Sequence, residues 1–299
     1  MAESGARGQL RRFLFESHPF RGHHVDLGAA WQELRSIHPY PPAVEALLGE
    51  TVAAAVLLAG TLKFDGKLTL QFTGHGSVSL LVAQCTHDFH VRAVAQYSEH
   101  VAQLADFATL VGDGRLAVTI ETGEAGNRYQ GIVPLDAAGV GPSLEAYFAG
   151  SEQLPTRLRL TVEGGHAAGL LLQRLPQAAD GEAGAAREHE IWEGLQANLA
   201  GIGTAALLQP IESLLPRLGG ELDCRLFAPT PVEFRCGCSS ERVGSMLRSL
   251  GVDELRDIVA EQGSVDVQCE FCRRGYHFDA IDVEGLFTAR QPPDSGRLN

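Results

Sequence analysis

Two short cysteine motifs near the C-terminus decide how this chain is organised. They lie in Phe234-Arg-Cys-Gly-Cys-Ser-Ser240 and in Val267-Gln-Cys-Glu-Phe-Cys272. Zinc takes four thiolates in closed, tetrahedral structural sites, and two tight cysteine pairs can supply them. The spacing therefore predicts one zinc site, whose ligands are Cys236, Cys238, Cys269 and Cys272. Four protein ligands leave no position on the metal for a catalytic water.

The residues around these motifs predict a small module. Ser239-Ser240 is a typical helix N-cap, and Gly251 separates two amphipathic stretches. The first should bury Val243, Met246, Leu247 and Leu250, and the second Leu255, Ile258 and Val259. We expect helices over Glu241–Leu250 and Asp253–Glu261, strands over Val265–Val267 and Tyr276–Phe278, and then a tail.

Zinc contributes about 10–16 kcal/mol to the folding of small zinc peptides, more than a module of this size gains from its own core. Removal of the metal should therefore unfold the module. Each thiolate has a partner with only one or two residues between them, so oxidation can form disulfides and displace zinc. This pattern is typical of a reversible switch, although a purely structural zinc ribbon is the commoner class.

Ahead of the module, the sequence predicts an α+β domain. Pro41-Pro42 opens an apolar helix from Ala43 to Leu62, which should be buried on most sides. An early strand should end near Pro19, and Ser143 should cap a short helix to Phe148. Alternating apolar residues after Asp65 predict many strands without βαβ spacing, hence a largely antiparallel sheet.

A region poor in large apolar residues, from Pro176 to Ala186, separates this domain from a helical segment. One helix face carries Ile191, Trp192, Leu195 and Leu199, and a second stretch, Ala205–Leu218, should be broken by Pro210 and Pro216. Such a short segment cannot form a core alone and should pack on a neighbour. We therefore predict an N-terminal domain (1–178), a helical linker (179–230) and a zinc-binding redox module (231–299).

Composition excludes several classes of function. The chain has 24 Lys and Arg against 37 Asp and Glu, a net charge of −13, which opposes binding to nucleic acid. The longest apolar run, Val52–Ala59, is too short to span a membrane, and the N-terminal residues resemble no secretory signal, so we expect a reducing cytoplasm. The histidines, including His23-His24, lack metal-binding spacing and should lie on the surface. No catalytic motif is evident, and Cys85 should be buried.

The chain resembles the redox-regulated heat-shock protein 33 chaperone family. The likeness lies in both cysteine motifs and in Tyr276-His-Phe-Asp279. It extends to the segment that runs from Gly49-Glu50 to Asp65-Gly-Lys-Leu-Thr-Leu-Gln71, to Arg128-Tyr-Gln-Gly-Ile-Val133 and to Tyr147-Phe-Ala-Gly-Ser-Glu-Gln-Leu-Pro-Thr156. It therefore covers nearly the whole chain.

The resemblance implies that the four paired cysteines bind one zinc ion per chain when reduced. It further implies disulfides Cys236–Cys238 and Cys269–Cys272 after oxidation. The implied protein is an ATP-independent holdase of the bacterial cytoplasm that binds unfolded clients, is dimeric when active, and needs no nucleotide, nucleic acid or membrane. No role transfers to Cys85 or Cys224.

From these observations we hypothesise that zinc loss loosens the helical region Glu188–Leu218 and exposes its apolar face. Two other classes compete with this hypothesis. A zinc-ribbon nucleic-acid binder is opposed by the net charge of −4 from Pro231 onward. A thiol-disulfide oxidoreductase using Cys269 and Cys272 lacks the βαβ surroundings of such motifs and leaves the other pair unexplained.

Overall fold

The alternating stretches form one large sheet. The computed structural model describes residues 8–99, 101, 106–123, 127–136, 138–176 and 181–288. The sheet strands are β1 Gly8–Phe15, β2 Phe20–Asp26, β3 Gly66–Thr73, β4 Val78–Thr86, β5 His90–Tyr97, β6 Arg115–Thr122, β7 Asn127–Val133, β8 Thr156–Glu163, β9 His166–Arg174, β10 Cys224–Leu226 and β11 Thr230–Phe234. Their order is β7-β6-β3-β4-β5-β11-β1-β2-β9-β8, with β10 also paired to β1. Every pairing is antiparallel except that of β11 with β5. The α+β prediction is confirmed.

The helices that accompany the sheet are α1 Gly28–Ile37, α2 Pro42–Thr61, α3 Phe107–Val111, α4 Val140–Tyr147, α5 Gly181–Ala200, α6 Thr204–Leu207 and α7 Ile211–Gly219. A π-helical turn, Phe148–Glu152, follows α4. The second compact unit of the chain, Cys236–Asn299, has its own elements, given below with the cysteines.

Helix α2 is the centre of the larger core, as predicted. Pro42 occupies its first turn, and 13 of its residues are buried. It packs on strands from both halves of the sheet, including β4, β5, β8 and β9. Among the described residues it is the one helix long and apolar enough to cross a bilayer, but 78% of that stretch is buried inside the protein. Its apolar composition is therefore explained by the core.

The N-terminal forty residues differ from the prediction. A hairpin of β1 and β2 followed by α1 replaces the single early strand. His23 and His24 are buried, at 3% and 2% exposure, so their expected surface position is wrong, and His38 is buried too. The reason is that β2 lies between β1 and β9 and is covered on both faces, so consecutive residues are buried. Such a strand lacks the alternation of buried and exposed residues that marks a half-exposed strand in the sequence.

Helix α4 begins earlier than predicted. Ser143 lies inside it rather than at its N-cap, and the Ser143 hydroxyl donates to Gly139 O at 2.8 Å. Gly139 holds the cap position with a φ of 130°, which a side chain rarely adopts. Pro142 fits the first turn, where no backbone donor is needed.

Helices α5–α7 form a layer on one face of the sheet, and we call this the helical layer. It buries the predicted face of α5 together with apolar residues of α6 and α7 against Phe13, Phe15, Phe20, Leu170 and Leu172. The expectation that this segment packs on a neighbour is confirmed. Pro210 precedes α7, but Pro216 lies inside it and does not end it, because only its last turn follows.

The described residues up to Arg235 form one compact unit, which contains the helical layer. The expected boundaries at residues 178 and 230 both lie within this unit, and the three-part division stays a prediction. Residues 177–180 of the expected boundary lie outside the described residues, and α5 begins at Gly181.

Candidate metal centre

The small second unit is built around the cysteine motifs. Its elements are α8 Ser240–Arg248, α9 Val252–Gln262, β12 Val265–Gln268, β13 Gly275–Phe278 and α10 Ala280–Thr288. The expected tail therefore begins with a helix, and residues 289–299 lie outside the described part. Leu255 is buried as predicted, whereas Met246 and Leu250 are 49% and 55% exposed and do not join the core.

The first cysteine pair leads directly into α8. The Ser239 hydroxyl accepts the backbone N–H of Arg242 at 3.2 Å, which confirms the predicted N-cap. The Arg242 guanidinium donates to Gly237 O at 2.6 Å, between the two cysteines. The start of the helix thereby fixes the turn that carries Cys236 and Cys238.

The second pair lies at the tip of the β12–β13 hairpin. Cys269 N donates to Arg274 O at 2.9 Å, and Arg273 N donates to Cys269 O at 2.8 Å. Arg273 has a left-handed φ of 59°, which turns the chain within the loop. Gln268 binds Arg273 through two side-chain hydrogen bonds of 3.0 and 3.2 Å. The turn brings Cys269 and Cys272 to the same side.

These elements bring the four predicted ligands together. All four sulfurs lie within 4.8 Å of one another, and the group could hold a metal ion. Two of these separations join one motif to the other, 3.7 Å for Cys236–Cys269 and 3.3 Å for Cys238–Cys272. Zinc–sulfur bonds of about 2.3 Å in a tetrahedron require sulfurs roughly 3.8 Å apart. The arrangement fits zinc.

The thiols differ in acidity. Burial raises the pKa of Cys236 and raises that of Cys272 to about 12. Burial also acts to raise the pKa of Cys238, but the Tyr276 hydroxyl and the neighbouring thiols outweigh it and lower the pKa to about 7. Of these three sulfurs, Cys238 is therefore the most readily available as a thiolate near neutral pH.

Two residues near the sulfurs were assigned no chemical role from the sequence, although Tyr276 belongs to a segment that carries the family resemblance. The Tyr276 hydroxyl influences Cys238, and the Arg274 charge acts on both Cys238 and Cys272. Both follow the second motif by only two to four residues, so the predicted hairpin was a further clue. The remaining cysteines lie outside the cluster: Cys85 is fully buried in β4, where burial raises its pKa, and Cys224 is half-buried in β10.

Few apolar side chains are buried in the described part of this unit. Its buried cluster consists of five side chains, Leu247, Leu255, Val265, Phe278 and Val283, with partly buried neighbours. Full burial of one such side chain contributes about 1.5–3 kcal/mol. A metal bound by the four thiolates would stabilise the unit by an amount comparable to the whole cluster.

Comparison with known proteins gives a consistent class. The family described as Hsp33 protein matches residues 8–279. The 33 kDa chaperonin of Pseudomonas aeruginosa is 45% identical over 93% of this chain and 94% of its own length. The 33 kDa chaperonin of Methylobacillus flagellatus is 41% identical over 93% and 94%, respectively.

A solved structure has the same fold. The crystal structure of the 33 kDa chaperonin (heat shock protein 33 homolog) from Thermotoga maritima matches with a TM-score of 0.79 at 24% identity, covering 93% of this chain and 97% of that chain. The class is thus a chaperone with a large α+β unit and a four-cysteine cluster near its C-terminus. The chain belongs to the Hsp33 family.

Proposed function

We propose that this chain is a redox-regulated, ATP-independent holdase of the bacterial cytoplasm. In the reduced state Cys236, Cys238, Cys269 and Cys272 hold one zinc ion and the protein is inactive. Oxidation releases zinc, unfolds the small unit, loosens Glu188–Leu218 and exposes a surface that binds unfolding clients. The active form is a homodimer and acts without turnover, nucleotide, nucleic acid or membrane.

The observation that carries the proposal is the cluster of four sulfurs within 4.8 Å in a unit with five buried apolar side chains. A metal that supplies so large a share of the stability makes folding dependent on the thiolates that bind it. Oxidation of any one of these sulfurs would then unfold the small unit instead of changing only the bonds at that sulfur.

The redox step balances with peroxide as oxidant. Two zinc-bound thiolates give one disulfide and two electrons, and the peroxide accepts these electrons together with two protons from solvent and leaves as two molecules of water. Two such steps consume all four thiolates and release the zinc ion. We propose the pairs Cys236–Cys238 and Cys269–Cys272, in keeping with the family resemblance. Sulfurs bound to one zinc ion stand wider apart than a disulfide bond allows, so the metal must leave as these bonds close.

The client surface that we propose is the interface between the helical layer and the sheet. Trp192 stacks on Phe20 with ring centroids 5.6 Å apart, and further apolar contacts reach Phe13 and Phe15. Separation of the layer would expose aromatic and aliphatic side chains on both sides, which is the surface that captures unfolded chains. Strands β10 and β11 both pair with β1 and lead along the chain to Cys236, and Leu226 of β10 packs against the apolar cluster of the helical layer. We propose that disorder beginning at Cys236 weakens these strands first.

An aggregation assay without nucleotide tests the proposal. We expect the zinc-loaded, reduced protein to leave a thermally unfolding client unprotected and the peroxide-treated protein to suppress its aggregation. A Cys224→Ser variant, which keeps the four clustered thiols, should switch as the unmodified chain does. Equal protection in both redox states would refute redox control, and protection in neither state would favour a purely structural zinc protein.

A further inference from the structure

Two adjacent histidines in β2 are buried on opposite faces of the sheet. His23 lies against Gly60 of α2, and His24 faces the helical layer. The sequence gives no reason for imidazoles at these positions, because a strand covered on both sides normally carries apolar residues. The contacts of His24 supply one.

His24 joins the sheet to the helical layer by a hydrogen bond. Its Nε2 lies 2.9 Å from the backbone oxygen of Leu207, at the end of α6. A carbonyl can only accept, so Nε2 carries the proton and Nδ1 is bare. Nδ1 is buried and has no partner among the described residues. Protonation of the ring would create a buried N–H without an acceptor, which is unfavourable.

The charged groups around His24 do not remove this penalty. Arg11 of β1 opposes a second positive charge, while Asp26 of β2 and Glu212 of α7 favour it. Arg11 and Glu212 bind each other at 2.9 Å. The β9 residue paired with His24 is the apolar Leu170, and α6 contributes the Leu207 carbonyl. Burial outweighs the favourable charges and lowers the pKa of His24.

We propose that His24 is an acid-sensitive latch: when the medium becomes acidic, protonation of its imidazole releases α6 and α7 from the sheet while the zinc cluster stays intact. The device is separate from thiol oxidation and responds to a different stress. It rests on the proposed function in one respect, because the released interface is the client surface proposed above.

The sign and size of the effect follow from linkage. The closed state keeps His24 neutral, whereas an open state exposes it with an ordinary pKa of about 6.5. Stability of the closed layer is therefore fully present above this value and is lost as pH falls below it. The opening equilibrium should rise about tenfold between roughly pH 7.5 and pH 5.5.

Hydrogen exchange of the full, reduced, zinc-loaded chain at about pH 7.5 and pH 5.5 tests the latch. After correction for the intrinsic pH dependence of exchange, residues 204–219 should open about tenfold more at the lower pH. Zinc and free thiols measured in the same samples must be unchanged. His24→Gln can still donate to Leu207 O but does not titrate in this range, so the response should disappear.

His23→Gln is the matched control, because it changes the neighbouring buried histidine on the other face and should leave the response in place. His24→Leu provides a second non-titrating variant if glutamine is poorly accommodated. Unchanged protection of the parent chain across this pH range, or a persisting tenfold response in both His24 variants, would overturn the latch. Neither result bears on the peroxide-dependent assay, which tests the holdase proposal separately.

Discussion

At the scale of single residues, the sulfur atoms of the cluster have two chemical roles. Thiolates are the ligands that zinc requires, and they are also the nucleophiles that peroxide attacks. The pKa of Cys238, lowered to about 7, and that of Cys272, raised to about 12, show that one cluster holds sulfurs of very different acidity. Metal binding needs all four as thiolates, so zinc compensates for the burial that opposes ionisation.

Replacement of both cysteines of the second motif should abolish metal binding. In Cys269→Ser/Cys272→Ser two thiolates are replaced by weak ligands, so we expect zinc content to fall from one ion per chain to near zero. Peroxide should then no longer change chaperone activity. Metal analysis together with the aggregation assay measures both quantities. Cys224→Ser should retain full zinc, and a double variant with normal zinc and normal switching would contradict the assignment.

Individual residues also show which features could be predicted from the sequence alone and which could not. The four cysteines and the Ser239 cap were evident, because their chemistry depends on short spacings. His23 and His24 were misplaced, because their environment depends on β9, about 145 residues further along the chain. Ser143 was misplaced because Gly139 and Pro142 together define an earlier helix start. Local chemistry was predictable, and burial created by distant strands was not.

At the scale of elements, the helical layer depends on a few large side chains. Trp192 is 4% exposed and is the largest residue that α5 contributes to the shared cluster. Two ion pairs, Arg11–Glu212 at 2.9 Å and Arg174–Glu188 at 3.3 Å, join the layer to the sheet at partly exposed positions. Exposed pairs contribute about 0–1 kcal/mol, so apolar packing is the main attachment.

Truncation of Trp192 should therefore loosen the layer without oxidation. Trp192→Ala removes the stacking on Phe20 and should cost about 3–5 kcal/mol of local stability. We expect the reduced, zinc-loaded variant to bind an apolar dye and to suppress client aggregation before peroxide is added. Glu190→Ala, at an exposed position of the same helix, is the control. A variant as inactive as the parent when reduced would show that this interface is not the client surface.

Element prediction succeeded where the pattern was strong and local. The helix after Pro41 was recognised from its proline start and its long run of alanine and leucine, and the strands around Leu70 from the alternation of apolar and polar residues. Helix α10 was missed because its mixed sequence after Phe278 has no clear apolar face, and Ile281 is 81% exposed. Pro216 was read as a helix breaker, although a proline near the end of a helix disrupts little.

At the scale of the whole molecule, the two compact units differ in what stabilises them. The unit that ends at Arg235 has a large core around α2, whereas the described part of the second unit, residues 236–288, has a cluster of five buried apolar side chains and the four sulfurs. One unit can unfold while the other stays folded only when the two units differ widely in their free energy of unfolding. The proposed switch therefore follows from the architecture of the chain as well as from the chemistry of its thiols.

The most direct test of the central claim is hydrogen exchange on the full chain in two states, reduced with zinc and oxidised without it. The account predicts that oxidation removes protection from residues 236–288 and from Glu188–Leu218, while β3, β4 and β6 keep theirs. Equal protection of Glu188–Leu218 in the two states, with zinc lost from the oxidised sample, would contradict it.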